Sequence, residues 1–295
     1  MKVLIACDGM TSEVACVQAA VNRPWPSGSS FCLLNVFNPY PFTAAPIIQL
    51  RLKDRAVQNL QAAVKPLRNA GWDSFTEITA GSARRDINRF AKEWRADLVM
   101  VGCNDLSDFG RLLLGSTARS VVRHAPCSVE VVRPHRGSAG DTARHAGMRI
   151  LVATDGSDCS AAALHSVANR PWPAESVVKV ISVPEFILFK DPSYFEKHEA
   201  KDMGQASIDD AKSCVTAGVG ILSSSALEVS SEVPTFEERP YRVILNEADT
   251  WQADLIVVGS HGRSGFDRVV MGSVSESVAL HAICSVEVIR QSEAS

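Results

Sequence analysis

Residues 253–274 read ADLIVVGSHGRSGFDRVVMGSV and place Gly259, Gly262 and Gly272 at a spacing that suits an anion. Two residues separate the first pair, nine separate the second, and Ser273 follows directly. Gly259 and Gly262 carry no Cβ, so the backbone can turn tightly there and approach a ligand closely. Gly272 and Ser273 stand where a helix should begin, with free N–H groups and a positive dipole end that favour phosphate. Ser273 is also a candidate cap for that helix. Ser260, His261 and Arg263 share the loop, and Arg263 offers a cationic contact to phosphate oxygens. This is chemistry for holding a phosphate. Each feature also has a plainer reading: turn glycines, an ordinary helix start, a loop-capping histidine, a solvated arginine.

The glycines need an element on each side to position them. Leu255-Ile256-Val257-Val258 has the length and composition of a buried parallel strand. Ser273 onward reads as a helix. The same unit occurs earlier in the chain, because the chain repeats itself. Asn22-Arg23-Pro24-Trp25-Pro26 recurs as Asn169-Arg170-Pro171-Trp172-Pro173, and Asp8-Gly9 recurs as Asp155-Gly156. Trp94-Arg95-Ala96-Asp97-Leu98 is matched by Trp251-Gln252-Ala253-Asp254-Leu255, and Cys127-Ser128-Val129-Glu130-Val131 by Cys284-Ser285-Val286-Glu287-Val288. The offset rises from 147 to 157, so the second copy carries a net insertion of ten residues in its middle. A Gly/Ser-containing stretch, 134–147, joins the copies. The expected division is 1–133, linker 134–147, and 148–291.

Within the first copy, strands are expected at 2–7, 31–36, 74–79, 98–101 and 128–132. Helices are expected at 12–21, 50–70, 83–95 and 116–124, with Gly71 as a C-cap. The second copy reads likewise, with strands at 149–154, 177–183, 227–233, 255–258 and 285–289 and helices at 159–169, 194–217, 242–252 and 273–281. Strands alternating with helices imply an α/β fold of parallel sheets covered on both faces. The repeated Trp25 and Trp172 are expected to pack beneath the first helix of each copy. Trp94 and Trp251 are expected to close the third.

Composition sets outer bounds. The 295 residues suffice for two domains. A net charge of −3 and the lack of a basic cluster give no hint of nucleic acid. No apolar run approaches the roughly 18 residues that cross a bilayer, and no signal peptide is visible, so a cytoplasmic location is expected. The eight cysteines form no CxxC pair and read as reduced, buried residues. The histidines show no HxH or HExxH spacing for a metal.

Both halves resemble a domain of the universal stress protein family, and the resemblance covers nearly all of the chain outside the linker. It is carried by the Asp after strand one, the Gly-x2-Gly-x9-Gly-Ser signature after strand four, and the Cys-Ser-Val entry into strand five. It implies two tandem doubly wound, Rossmann-like five-stranded sheets of strand order 3-2-1-4-5, similar to the adenine nucleotide alpha hydrolase fold. Ligands of such sheets sit beyond the carboxyl ends of the strands where the winding reverses. Asp155 and Gly259 are implied to meet there. In the ATP-binding branch of the family the first Asp lies by the ribose, the end of strand two touches adenine, and the glycine loop takes the phosphates. Carried onto this chain, the implied contacts are Asp155, Val183, Gly259, Ser260, His261, Gly262, Arg263, Gly272, Ser273 and Val274. The implied ligand is ATP, with Mg²⁺ as a candidate companion.

The first copy departs from that pattern. Its corresponding residues are Gly102, Asp105, Gly115 and Ser116, so a carboxylate replaces the second glycine. Residues 103–114 hold two aspartates and one arginine, and 260–271 hold two arginines and one aspartate. Charges of −1 and +1 favour a phosphate only in the second half. No Walker GKS or GKT, SGGxDS-type loop or HxGH motif is present, and Asp155 has no convincing second metal ligand nearby. A nucleotide-responsive binding module in the stress response is therefore expected ahead of a catalyst. A scaffold with vestigial sites and a slow ATPase are the alternatives. The resemblance also implies pairing through the fifth strands, which are sheet edges, and here they are expected to pair antiparallel within the chain as a pseudo-dimer; a further homodimer stays open.

Overall fold

The computed structural model describes residues 1–8, 11–37, 46–103, 114–134, 147–184, 197–235, 238–263 and 271–291. The loop expected at 38–41, Asp105, the charged residues Asp108, Arg111, Asp267 and Arg268, and most of the linker lie outside them. The first half comprises β1 (Lys2–Cys7), α1 (Thr11–Val21), β2 (Ser30–Phe37), α2 (Pro46–Ala63), α3 (Lys65–Asn69), β3 (Asp73–Ala80), α4 (Ala83–Trp94), β4 (Leu98–Gly102), α5 (Ser116–His124) and β5 (Ser128–Val132). The second comprises β6 (Arg149–Ala153), α6 (Asp158–Ala168), β7 (Val177–Ile181), α7 (Lys197–Leu222), β8 (Glu228–Glu232), α8 (Pro240–Thr250), β9 (Leu255–Gly259), α9 (Ser273–His281) and β10 (Ser285–Ile289).

The ten strands among the described residues form one sheet, in the order β3-β2-β1-β4-β5-β10-β9-β6-β7-β8. Each half shows the 3-2-1-4-5 order with parallel neighbours. The central strands are apolar on both faces because helices cover both; β9 is buried along its whole length. The outer strand β3 instead alternates between exposed and half-buried positions. On one face a single apolar cluster runs across both halves and takes in Val121, Val129, Val278 and Val286. On the other face each half keeps its own cluster.

The helix expected over 50–70 is two helices. Pro66 lacks an N–H and clashes with the preceding turn, so the chain restarts after Val64. Gly71 ends α3 with φ +83°, donating to the Arg68 carbonyl while Trp72 donates to that of Leu67. That pair of bonds defines a Schellman motif. The inserted residues are also placed. Ser30 pairs with Asp73 and Val177 with Glu228, so the copies are 155 apart at the third strand, against 147 at the second. Eight of the ten therefore precede β8, in the segment that contains α7.

β5 and β10 meet antiparallel and join the halves. Their register sets Glu130 directly opposite Glu287, each with a 1% exposed side chain. Arg23 bonds Glu130 at 2.5 Å, and Arg170 grips Glu287 at 2.9 and 2.8 Å. Those arginines belong to the repeated Asn-Arg-Pro-Trp-Pro and stack over Trp25 and Trp172. Each indole N–H in turn donates to the last turn of its helix, at Ala20 and Val167. Arg133 and Arg290 cross the junction in opposite directions. Arg133 donates to the Ala279 and Cys284 carbonyls, Arg290 to those of Val122 and Arg123.

Candidate functional site

The carboxyl ends of β6, β7 and β9 converge at one end of the second half. Thr154 leaves β6 and its N–H donates to the carbonyl of Ile181, the last residue of β7. Val183, half-buried, lies two residues past that end and packs on the shared cluster. The β6–α6 turn is ordered by its own side chains. Ser157 caps α6, its hydroxyl accepting from the Ser160 N–H. Asp155 Oδ1 accepts from the Ser157 N–H at 3.0 Å and the Ser157 hydroxyl at 2.6 Å. Gly156 takes φ +77°, where an added Cβ would sit 2.8 Å from the Cys214 sulfur.

The glycine loop docks on this turn. Asp155 Oδ2 accepts the backbone N–H of Arg263 at 3.2 Å. A Cβ on Gly262 would stand 2.7 Å from that same oxygen. Asp155 thus touches Gly262 and Arg263 directly, at the paired carboxyl ends of β6 and β9 where Gly259 also lies. Gly259 has another partner: its Cβ would overlap the Cys159 backbone and the Ser160 nitrogen at 2.6–2.7 Å. Its lack of a side chain lets β9 press on the first turn of α6. None of Gly259, Gly262 and Gly272 needs a positive φ. What they provide is close approach.

Ser260 is buried, its N–H donating to the Ile289 carbonyl and its hydroxyl meeting His261 Nδ1 at 2.9 Å. The Gly272 N–H returns to the Ser260 carbonyl at 2.8 Å, so the glycine loop closes on itself just before α9. Gly272 is the N-cap of α9, with no side-chain cap, and Ser273 is its first residue. Ser273 is thus not the cap that its position suggested. Ser275 provides a tether that sequence reading missed, donating to the Gly259 carbonyl at 2.5 Å. Ser273 is exposed and Val274 half-buried beside it.

Arg263 is held. Its guanidinium forms an ion pair with Asp210 and lies 3.0 Å from the Cys214 sulfur, and both partners belong to α7. The hydrogen bond it donates to Asp210, against a smaller cost of burial, raises its pKa further, so it stays cationic. Asp210 and Cys214 were missed because only the fold brings α7 to this loop; their four-residue helical spacing was the available signal. Among the described residues no group of three or more His, Cys, Asp or Glu could hold a metal ion.

The first-half counterpart is more acidic. At the offset of 147, Glu13 stands where the second half has Ser160, and it is 7% exposed. Burial raises the Cys7 thiol well above its ordinary value, helped by the charges of Glu13 and Asp8. Gly115 begins α5 without a side-chain cap, as Gly272 begins α9.

The universal stress protein family matches this chain twice, over residues 1–133 and 148–290. The chain belongs to the universal stress protein family. It carries the domain in tandem. A universal stress protein of Mycolicibacterium smegmatis is 27% identical over 98% of this chain and 96% of its own. One from Methanocaldococcus jannaschii is 28% identical and aligns with 45% of this chain and 81% of its own length. Among solved structures, a universal stress protein from Archaeoglobus fulgidus superposes with a TM-score of 0.65 at 18% identity, covering 98% of this chain and 96% of that one. A protein from Pseudomonas aeruginosa described as a putative universal stress protein gives 0.62 at 17%, covering 99% and 93%. Those two likenesses speak to the fold. Among the described residues, no helix of this universal stress protein is long and apolar enough to cross a membrane.

Proposed function

We propose that this tandem universal stress protein is a cytoplasmic ATP-responsive module of the stress response, binding adenine nucleotide mainly through residues 148–291. Residues 1–133 form a degenerate partner domain and 134–147 the linker. The observation that carries the reading is the seating of Gly262 and Arg263 on Asp155 beside the bare N-terminus of α9. In this reading Gly262, Gly272, Ser273 and Val274 present backbone to the phosphates. A helix start without a side-chain cap leaves its dipole end to the ligand. Ser260 and His261 hold the loop closed, and Gly259 lets strand and helix pack behind it. Asp155 keeps the loop in place and has lone pairs left for a ribose hydroxyl. Val183 lies on the adenine side. Arg263 exchanges Asp210 for a phosphate oxygen.

The first half lacks that cradle in sequence, with Asp105 in place of the second glycine, and it buries Glu13 near the same strand ends. Both carboxylates oppose an anion. No protein group is assigned to activate water, so the reading is binding without turnover. The competing reading is a scaffold with two vestigial sites, favoured by the three hydrogen bonds that Asp155 already accepts from Ser157 and Arg263. Thermal denaturation with and without ATP separates them, since a ligand of the folded state raises its stability. A rising midpoint supports the module; an unchanged midpoint at millimolar ATP supports the scaffold.

A further inference from the structure

The junction between the halves repeats most of its features on both sides. Glu130 and Glu287 are equivalent, as are Arg23 and Arg170, and so are Arg133 and Arg290. Each glutamate is neutralised by the arginine of its own half. Each crossing arginine reaches the carbonyls of the other half. Features of this kind would form as well between two first halves, or two second halves, as between one of each.

The α5–α9 contact differs. Arg119 and Glu276 occupy the same position in the two copies, at the offset of 157, and they touch each other at 3.5 Å. A residue that meets its own counterpart sits on the two-fold axis of the pair. In a like-with-like pair Arg119 would meet Arg119, and Glu276 would meet Glu276. Two identical copies cannot split one axial position into a cation and an anion, and a duplicated chain can. Arg123 adds to the bias, its Nε donating to Glu276 at 2.8 Å, whereas the equivalent position in the second copy is Leu280. Two first halves would crowd arginines on the axis, and two second halves would oppose carboxylates.

We infer that the α5–α9 charge pairing on this axis fits each half of the chain to the other and turns away a second copy of itself. The recognised partner is a domain of the same fold with a carboxylate at the position of Glu276.

Charge exchange in the full-length chain tests this. Arg119→Glu imitates the axial contact of two second halves, and Glu276→Arg that of two first halves. The double exchange restores opposite signs between positions 119 and 276, while Arg123 then faces a cation at position 276. These side chains are partly exposed, with Glu276 at 21% and Arg119 at 48%. Each single substitution should therefore raise the unfolding constant in dilute buffer by about two- to fivefold, with the double exchange recovering part of the loss seen in Glu276→Arg, since Arg123 still meets the new cation. Glu276→Gln, which removes attraction without adding repulsion, should fall between wild type and Glu276→Arg. The differences should shrink in 1 M NaCl. Single exchanges as stable as wild type, or a double exchange no better than the weaker single, would overturn the inference.

Discussion

The carboxylate of Asp155 and the backbone N–H of Arg263 are joined at 3.2 Å across 108 residues of sequence. The bond ties the turn after β6 to the glycine loop after β9. Removing the carboxylate in Asp155→Ala releases the loop and the Ser157 N–H together. ATP affinity should fall by about tenfold or more, in line with one or two lost charge-assisted bonds. Amide exchange at Gly262 and Arg263 should quicken in the same variant. Unchanged affinity with unchanged exchange would remove Asp155 from the site.

Arg263 is shared between α7 and the proposed phosphate position. Substituting Asp210→Asn lifts the competing charge from its guanidinium, and ATP affinity should rise a few-fold, as expected for an exposed ion pair. Arg263→Ala should lower affinity. Titration calorimetry at two salt concentrations reads both effects. A weaker Asp210→Asn variant would mean that α7 positions the arginine instead of competing for it.

Seven of the eight cysteines are buried, and Cys159 is the half-exposed one. Burial pushes the Cys32, Cys127 and Cys284 thiols up to about 12. At pH 8 the folded chain should therefore show one fast-reacting thiol, with the remainder appearing on denaturation. Cys159 is in the first turn of α6. Several fast thiols, or mass spectrometry locating the fast one elsewhere, would contradict the described packing.

The buried charges at the junction bear on stability. Arg170→Ala leaves Glu287 buried without its partner and should cost roughly 3–5 kcal/mol, whereas the apolar exchange Arg170→Met with Glu287→Leu should be far milder. Burial raises the pKa of Glu130, opposed by Arg23 and aided by Glu287. A carboxyl raised in the folded state makes that state the stronger proton binder above the ordinary value of 4.5. Its contribution to stability therefore falls as pH rises through the raised pKa. Relative to Glu130→Gln, the wild type should gain stability as pH is lowered toward 4.5. The opposite slope would show that Arg23 outweighs burial.

The repeat made most of the fold legible. The alternation of strands and helices and the glycine loop's place at a strand end are legible in the residues, whereas the strand order is implied by the family resemblance those motifs carry. Long-range pairing was less accessible. Gly259 was readable as a place of close approach, but that the Cys159–Ser160 backbone makes one such approach needed the fold. Ser273 looked like a cap, but Gly272 takes the extended N-cap backbone and Ser273 begins the helix. Pro66 carried the signal for the break in the second helix, and the apolar period of its neighbours obscured it. The partners of Arg263 lie on α7, about fifty residues away, in the part of the chain with no counterpart of equal length in the first copy.

The claim that one half alone holds the nucleotide is tested most directly by counting. Calorimetric titration of the full chain with ATP should give a stoichiometry of about one. Binding should disappear in Gly262→Asp, where the new Cβ meets Asp155 and a second carboxylate faces the phosphates. Two equivalents of ATP per chain, or undiminished binding by Gly262→Asp, would contradict the account.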